Sequence, residues 1–132
     1  MKILNKVKKL FNEQDLVAFG TADKKGNPNV VPIYWKMLLD DKTILLLDNF
    51  MIKSKRNLQE NKKVCVSFWN TEPEEAYKIK GTAKYHQKGT IYEKGKAFMQ
   101  SKKPGNSPKG VVEIKVEEIY TIKSGSDAGK KL

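Results

Sequence analysis

"TILLLDNFMIKSKRNL", residues 43–58, joins one of the most apolar runs in the chain to a cluster of cations around a single serine. Ile44–Leu47 are four consecutive apolar residues bounded by Thr43 and Asp48. So short a run predicts a strand covered on both faces. A short amphipathic pattern then predicts a helix over about residues 54–61. A helix beginning at Ser54 leaves its first N–H groups without intrahelical partners, and its dipole favours an anion there. Ser54 adds a hydroxyl and Lys53 a cation, while Lys55 or Arg56 can supply a second charge, Arg in bidentate form. A plainer alternative is that Ser54 caps the helix and the lysines are solvated. This pattern alone leaves both open.

Outward from this stretch, Ile3, Val7, Leu10 and Phe11 fall on one helical face with lysines between them, which predicts a first helix. "LVAFGTAD" and "PNVVPIYWKMLL" flank a Gly-Asn turn and read as a hairpin. Pro28 and Pro32 require the second of these strands to start late, lie at an edge or bend at Pro32. "DDK" forms the next turn, before "TILLLD". In "KKVCVSFWN" Val64, Val66 and Phe68 alternate with Cys65, Ser67 and Trp69. "AYKIKGTAKYHQ" also alternates, with Gly81 as an expected bulge. "TIYEKGKAFMQSKK" reads as a helix, and "VVEIKVEEIYTI" as the last strand. Six mostly sequential strands make the chain mainly β, a closed or nearly closed antiparallel barrel plugged or flanked by short helices. Residues 1–132 are expected to form a single domain.

The net charge is +11, from 26 Lys+Arg against 15 Asp+Glu, and the excess is spread along the chain. Such a field favours anionic ligands without choosing among them. The lone Cys65 excludes an internal disulfide and any cysteine-cluster metal site, and it suits a reducing, cytoplasmic setting. No signal peptide or bilayer-spanning apolar stretch is read, so no membrane partner is expected. His86, the sole histidine, makes multi-histidine metal sites and a Ser-His-Asp triad poor expectations. It reads as a surface or rim residue, and Cys65 as a small buried strand residue. Neither a G-x-G-x-x-G nor a G-K-[ST] motif appears, and no side chain is singled out as catalytic.

Pro32, Tyr34 and Trp35 in "PIYWK" lie one hairpin from the helix start. Aromatic side chains and strand backbone there can pack on a flat heterocycle, although the same residues also suit a core. A phosphate cradle beside an aromatic strand describes a mononucleotide-like ligand better than either feature alone. In order and spacing, "GNPNVVPIYW", "TILLLDNFMIKSKRNL", "ENKKVCVSF" and "YKIKGTAKY" resemble the FMN-binding split-barrel family that includes pyridoxamine 5′-phosphate oxidase and the small FMN-binding proteins. Lys53-Ser54-Lys55-Arg56-Asn57-Leu58 is similar to that family's Lys-Thr/Ser-x-x-Asn-Leu helix start, with Ser54 keeping the hydroxyl.

The resemblance implies FMN bound at a homodimer interface. Lys53 and Ser54 would hold the phosphate. Pro32, Ile33 and Tyr34, with Asp48 and Asn49, would line the ribityl chain and ring, and Trp35 or an aromatic of the partner subunit would cover the flavin. It further implies a redox or electron-transfer role on an unidentified substrate. That enzyme's C-terminal Arg-x-His pattern is absent, so oxidation of a vitamin B6 phosphate is not expected. Some relatives bind a deazaflavin or haem, and a redox-silent carrier is a further option. The rival reading is a small basic barrel that binds single-stranded nucleic acid by stacking and phosphate attraction. Dispersed rather than striped charge ranks it second.

Overall fold

A computed structural model describes residues 1–132. The elements run α1 (Asn5–Glu13), β1 (Val17–Ala22), β2 (Pro28–Ile33), β3 (Lys36–Asp40), β4 (Thr43–Asp48), α2 (Lys53–Glu60), β5 (Lys63–Thr71), β6 (Glu74–His86), α3 (Thr90–Lys102) and β7 (Gly110–Thr121). The strands form one antiparallel sheet in the order β2-β1-β5-β6-β7-β4-β3. β2 and β3 therefore occupy opposite ends of the sheet, yet only Tyr34 and Trp35 separate them in the chain. So short a link brings the two edges together and curls the sheet into a split barrel. Leu47 N–H donates to the Trp35 carbonyl (2.9 Å) at the junction.

The strand count is seven, where six were expected, because "PNVVPIYWKMLL" is two strands. Its break falls at Tyr34–Trp35 and not at Pro32. β2 does lie at an edge, where Pro28 and Pro32 leave no ladder donor missing. α2 begins one residue earlier than the pattern indicated, at Lys53.

All six residues of β4 are buried. Ile44 and Leu46 enter the main core, while Leu45 and Leu47 join a second cluster with Met99 and Val111 beneath α3. That two-sided cover explains the unbroken apolar run. Inside the barrel α1 buries Val7, Leu10 and Phe11, and Phe11 meets Phe68 edge-on at 5.5 Å between centroids. In β5, Val64, Val66 and Phe68 point inward as their alternation required. The expected irregularity at Gly81 is present as a register shift between Lys80 and Gly81. A Cβ at Gly81 would come 2.3 Å from the Lys115 carbonyl oxygen, so the β6–β7 approach requires glycine there. No helix is long and apolar enough to cross a membrane.

Candidate functional site

A cleft of about 520 Å³ opens between β2, the Tyr34–Trp35 junction, the 49–52 loop and the start of α2. Its size is ordinary for a small-molecule site. Of the residues singled out from sequence, Pro32, Ile33, Tyr34, Trp35, Asn49, Lys53 and Ser54 line it together. Tyr34 is exposed at its mouth. Trp35 is half-buried and packs edge-on between Tyr34 (5.4 Å) and Phe98 of α3 (6.3 Å). Because β2 is an edge strand, alternate backbone groups on its outer side remain unspent by the ladder.

On the helix side, α2 makes its first backbone bond from Arg56 N–H to the Ile52 carbonyl (3.2 Å). The N–H groups of Lys53, Ser54 and Lys55 precede that bond. Ser54 does not cap the helix: the N-cap position is Ile52, and no side-chain capping bond forms. Instead the buried Ser54 Oγ accepts from Asn29 Nδ2 at 3.2 Å. With its oxygen engaged in this way, the hydroxyl proton is left to donate. Lys53 is exposed and in no ion pair. Serine donor, helix N–H groups and ammonium thus gather where α2 meets the cleft, while Tyr34 and Trp35 line it at the β2–β3 junction and Phe50 on the 49–52 loop.

Three of the residues lie elsewhere. Asp48 is fully buried and does not line the cleft. Its carboxylate accepts from Met51 N–H (2.6 Å) and from the Tyr85 hydroxyl (2.5 Å), and its carbonyl accepts from Lys109 N–H (2.8 Å). Asp48 therefore anchors the loop that carries Asn49–Ile52. Burial first, and then the Asp48 carboxylate, hold the Tyr85 phenol well above its usual range, which keeps it a donor. Lys55 and Arg56 face a neighbouring groove with Lys109, and the Lys55 ammonium lies 5.3 Å from the centre of the Tyr85 ring.

Asn29, Phe50 and Ile52 line the cleft without having been singled out. Asn29 was within reach: alternation along β2 places Asn29, Val31 and Ile33 on one face. Phe50 and Ile52 are strongly exposed loop residues whose position no periodicity encodes. His86 is half-buried, its Nε2 2.8 Å from Glu113 Oε1, and is not part of the cleft. Cys65 is a half-buried residue on the outer sheet face, where burial pushes its thiol pKa up.

Comparison with known proteins gives a concordant result. The family model described as pyridoxamine 5′-phosphate oxidase matches residues 3–123. An uncharacterized protein of Methanocaldococcus jannaschii is 41% identical over 120 residues, spanning 89% of this chain and 80% of its own length. The crystal structure of HupZ from Group A Streptococcus is 35% identical, with a TM-score of 0.84, covering 96% of this chain and 99% of that one. An FMN-binding protein of Syntrophomonas wolfei shares the fold at 20% identity (TM-score 0.79; 92% of this chain, 87% of that one). So does HutZ, the heme storage protein of Vibrio cholerae, at 15% identity (TM-score 0.71; 93% and 96%). With a family match spanning almost the whole chain and a barrel that closes as its strand order demands, this protein belongs to the pyridoxamine 5′-phosphate oxidase family of split barrels.

Proposed function

We propose that the protein is a flavoprotein that holds FMN in this cleft and acts in redox chemistry as a homodimer. The observation that carries the reading is the polarity of the cleft. Ser54 is oriented by Asn29 as a donor beside Lys53 and the open end of α2, while Tyr34, Trp35 and Pro32 line the same cleft from β2 and the β2–β3 junction. A dianionic phosphate fits the first group, through hydroxyl, backbone N–H and ammonium donors. A flat ring system fits the second, against aromatic faces and edge-strand backbone. When bound, FMN supplies the electron-transfer chemistry that no side chain of this chain provides. The role of the chain is then to orient the ligand, to exclude water through the apolar walls of Leu16, Val31 and Leu47, and to offset the phosphate charge with Lys53.

Support for a second copy comes from the outer sheet face beside the cleft. Pro32, Ala18 and Ser67 form one row across β2, β1 and β5, and Val30, Gly20 and Cys65 form the next. These side chains are small or apolar and no helix covers them, while Val30 and Trp69 are exposed. An uncovered face of this kind suits an isologous contact. A haem reading has less to rest on, since the one imidazole is bonded to Glu113 outside the cleft.

The test is FMN binding by Lys53→Ala and Ser54→Ala. Each removes one phosphate donor of the proposed set, and each is expected to weaken affinity about 10-fold or more, since a charge-assisted bond contributes about 1.5–3 kcal/mol. Binding unchanged in both variants would mean that the phosphate lies elsewhere.

A further inference from the structure

α2 buries three side chains, Ser54, Asn57 and Leu58, and only the last is apolar. One leucine contact ties the helix to the sheet without fixing its rotation, because apolar burial has no direction. Direction comes from two side-chain hydrogen bonds. Asn29 Nδ2 donates to Ser54 Oγ (3.2 Å), and Asn57 Nδ2 donates to Thr21 Oγ1 (3.0 Å). Ser54 and Asn57 stand three residues apart on α2 and so share one helix face, at a Cβ spacing of about 5–6 Å. Thr21 and Asn29 are paired across β1 and β2, where opposed Cβ atoms stand about 4.5–5.5 Å apart. The two spacings match, and the two bonds clamp α2 to the β1–β2 hairpin.

The clamp leaves one atom unsatisfied. Asn57 is fully buried, and its Oδ1 has no hydrogen-bond partner in the chain. Buried polar atoms without partners are rare, and leucine has the same branching with no polar atom to bury. Asn57 is thus a poor residue for packing alone and a good one for direction. What the clamp aims is the start of α2: the Ser54 hydroxyl and the N–H groups of Lys53, Ser54 and Lys55, one turn before Asn57. We propose that Thr21 and Asn57 are positioning residues for the phosphate, holding those donors in place through α2. The inference rests on the flavin reading above. Neither residue lines the cleft, so neither touches the ligand. A constellation of donors keeps its geometry to within about 0.5 Å only when bonds behind it lock its place. The effect is selective for the phosphate, because Tyr34 and Trp35, against which the ring packs, lie outside the clamp.

The experiment titrates the flavin-free chain by fluorescence with riboflavin and FMN, and records the phosphorus NMR line of bound FMN. Wild type is compared with Thr21→Val, Thr21→Ser and Thr21→Val/Asn57→Leu. The double variant removes both partners of the bond together with the orphan oxygen, so its flavin-free form should melt within about 3 °C of wild type or higher. Thr21→Val, which exchanges one hydroxyl for a methyl, carries the comparison if the double variant does not fold. Wild type is expected to bind FMN at least about 10-fold more tightly than riboflavin. Thr21→Val and the double variant should lower that ratio about 5-fold or more, with riboflavin affinity held within about twofold and the phosphorus line moved toward that of free FMN. Thr21→Ser keeps the acceptor and should keep the ratio. A ratio unmoved in Thr21→Val and the double variant, both flavins weakened alike, or Thr21→Ser losing as much as Thr21→Val overturns this inference alone. FMN binding no tighter than riboflavin in wild type overturns the phosphate site at Lys53–Ser54, and this inference with it.

Discussion

Tyr85→Phe removes one hydroxyl and isolates the anchor beneath the cleft. In the wild type that hydroxyl donates to Asp48 Oδ2, and Asp48 has no solvent exposure. Water cannot replace the lost donor, so one oxygen of a buried carboxylate is left unsatisfied. A hydrogen bond to a charged group contributes about 1.5–3 kcal/mol. An unfolding entropy of about 2.1 cal/mol/K per residue over 132 residues is about 0.28 kcal/mol/K. A loss of 2 kcal/mol therefore lowers the melting temperature by about 7 °C. The assay is thermal unfolding by circular dichroism, with amide exchange at Met51 as a local readout, because that N–H donates to the same carboxylate. Faster exchange at Met51 should accompany the lower melting temperature. The sign with pH is also set. Below about pH 10 the phenol is neutral in both states, and above it the unfolded chain releases a proton that native Tyr85 retains. Wild-type stability from this group therefore falls as pH rises, and the gap to Tyr85→Phe narrows. A melting temperature within 1 °C of wild type, or a gap independent of pH, refutes the anchor.

Gly81→Ala drives a Cβ to 2.3 Å from the Lys115 carbonyl oxygen, whereas in Gly95→Ala the contact is a Val111 methyl at 2.5 Å, which can move. Gly81→Ala should therefore cost about 3 kcal/mol or more. Gly95→Ala costs less, since the gain in helix propensity of about 1 kcal/mol offsets part of the strain; denaturant melts showing the reverse order would contradict the packing argument. Ala18→Arg places a charge in the middle of the uncovered outer face. Light scattering should then report the 15.1 kDa chain mass for the variant and twice that for the wild type; equal masses would remove this face from the proposed contact.

The parts of the fold that were legible in the sequence are those with a short physical period. β5 reads from strict alternation, β4 from a run too apolar for one-sided cover, and the register shift in β6 from Gly81. What escaped was the division of "PNVVPIYWKMLL". Nothing local distinguishes one long strand from two; the division follows from a global requirement that the sheet edges meet, and the prolines marked the edge position of β2 but not the break at Tyr34–Trp35. In the site, Lys53 and Ser54 were legible because a helix start, a hydroxyl and a cation share one short segment. Asp48 was misread as lining the cleft because its partner Tyr85 lies on β6, far along the chain. Alternation along β2 could have placed Asn29 on the cleft face, but its partner Ser54 is visible only in the contact between β2 and α2. The serine cap, attractive locally, gave way to a bond from Asn29 of β2.

The central claim is that the cleft holds FMN. An absorbance spectrum of the protein as purified, followed by mass determination of whatever heat or acid releases, tests it most directly. Visible flavin bands and a released mass equal to that of FMN are expected. A colourless protein that remains colourless after incubation with excess FMN and desalting would contradict it.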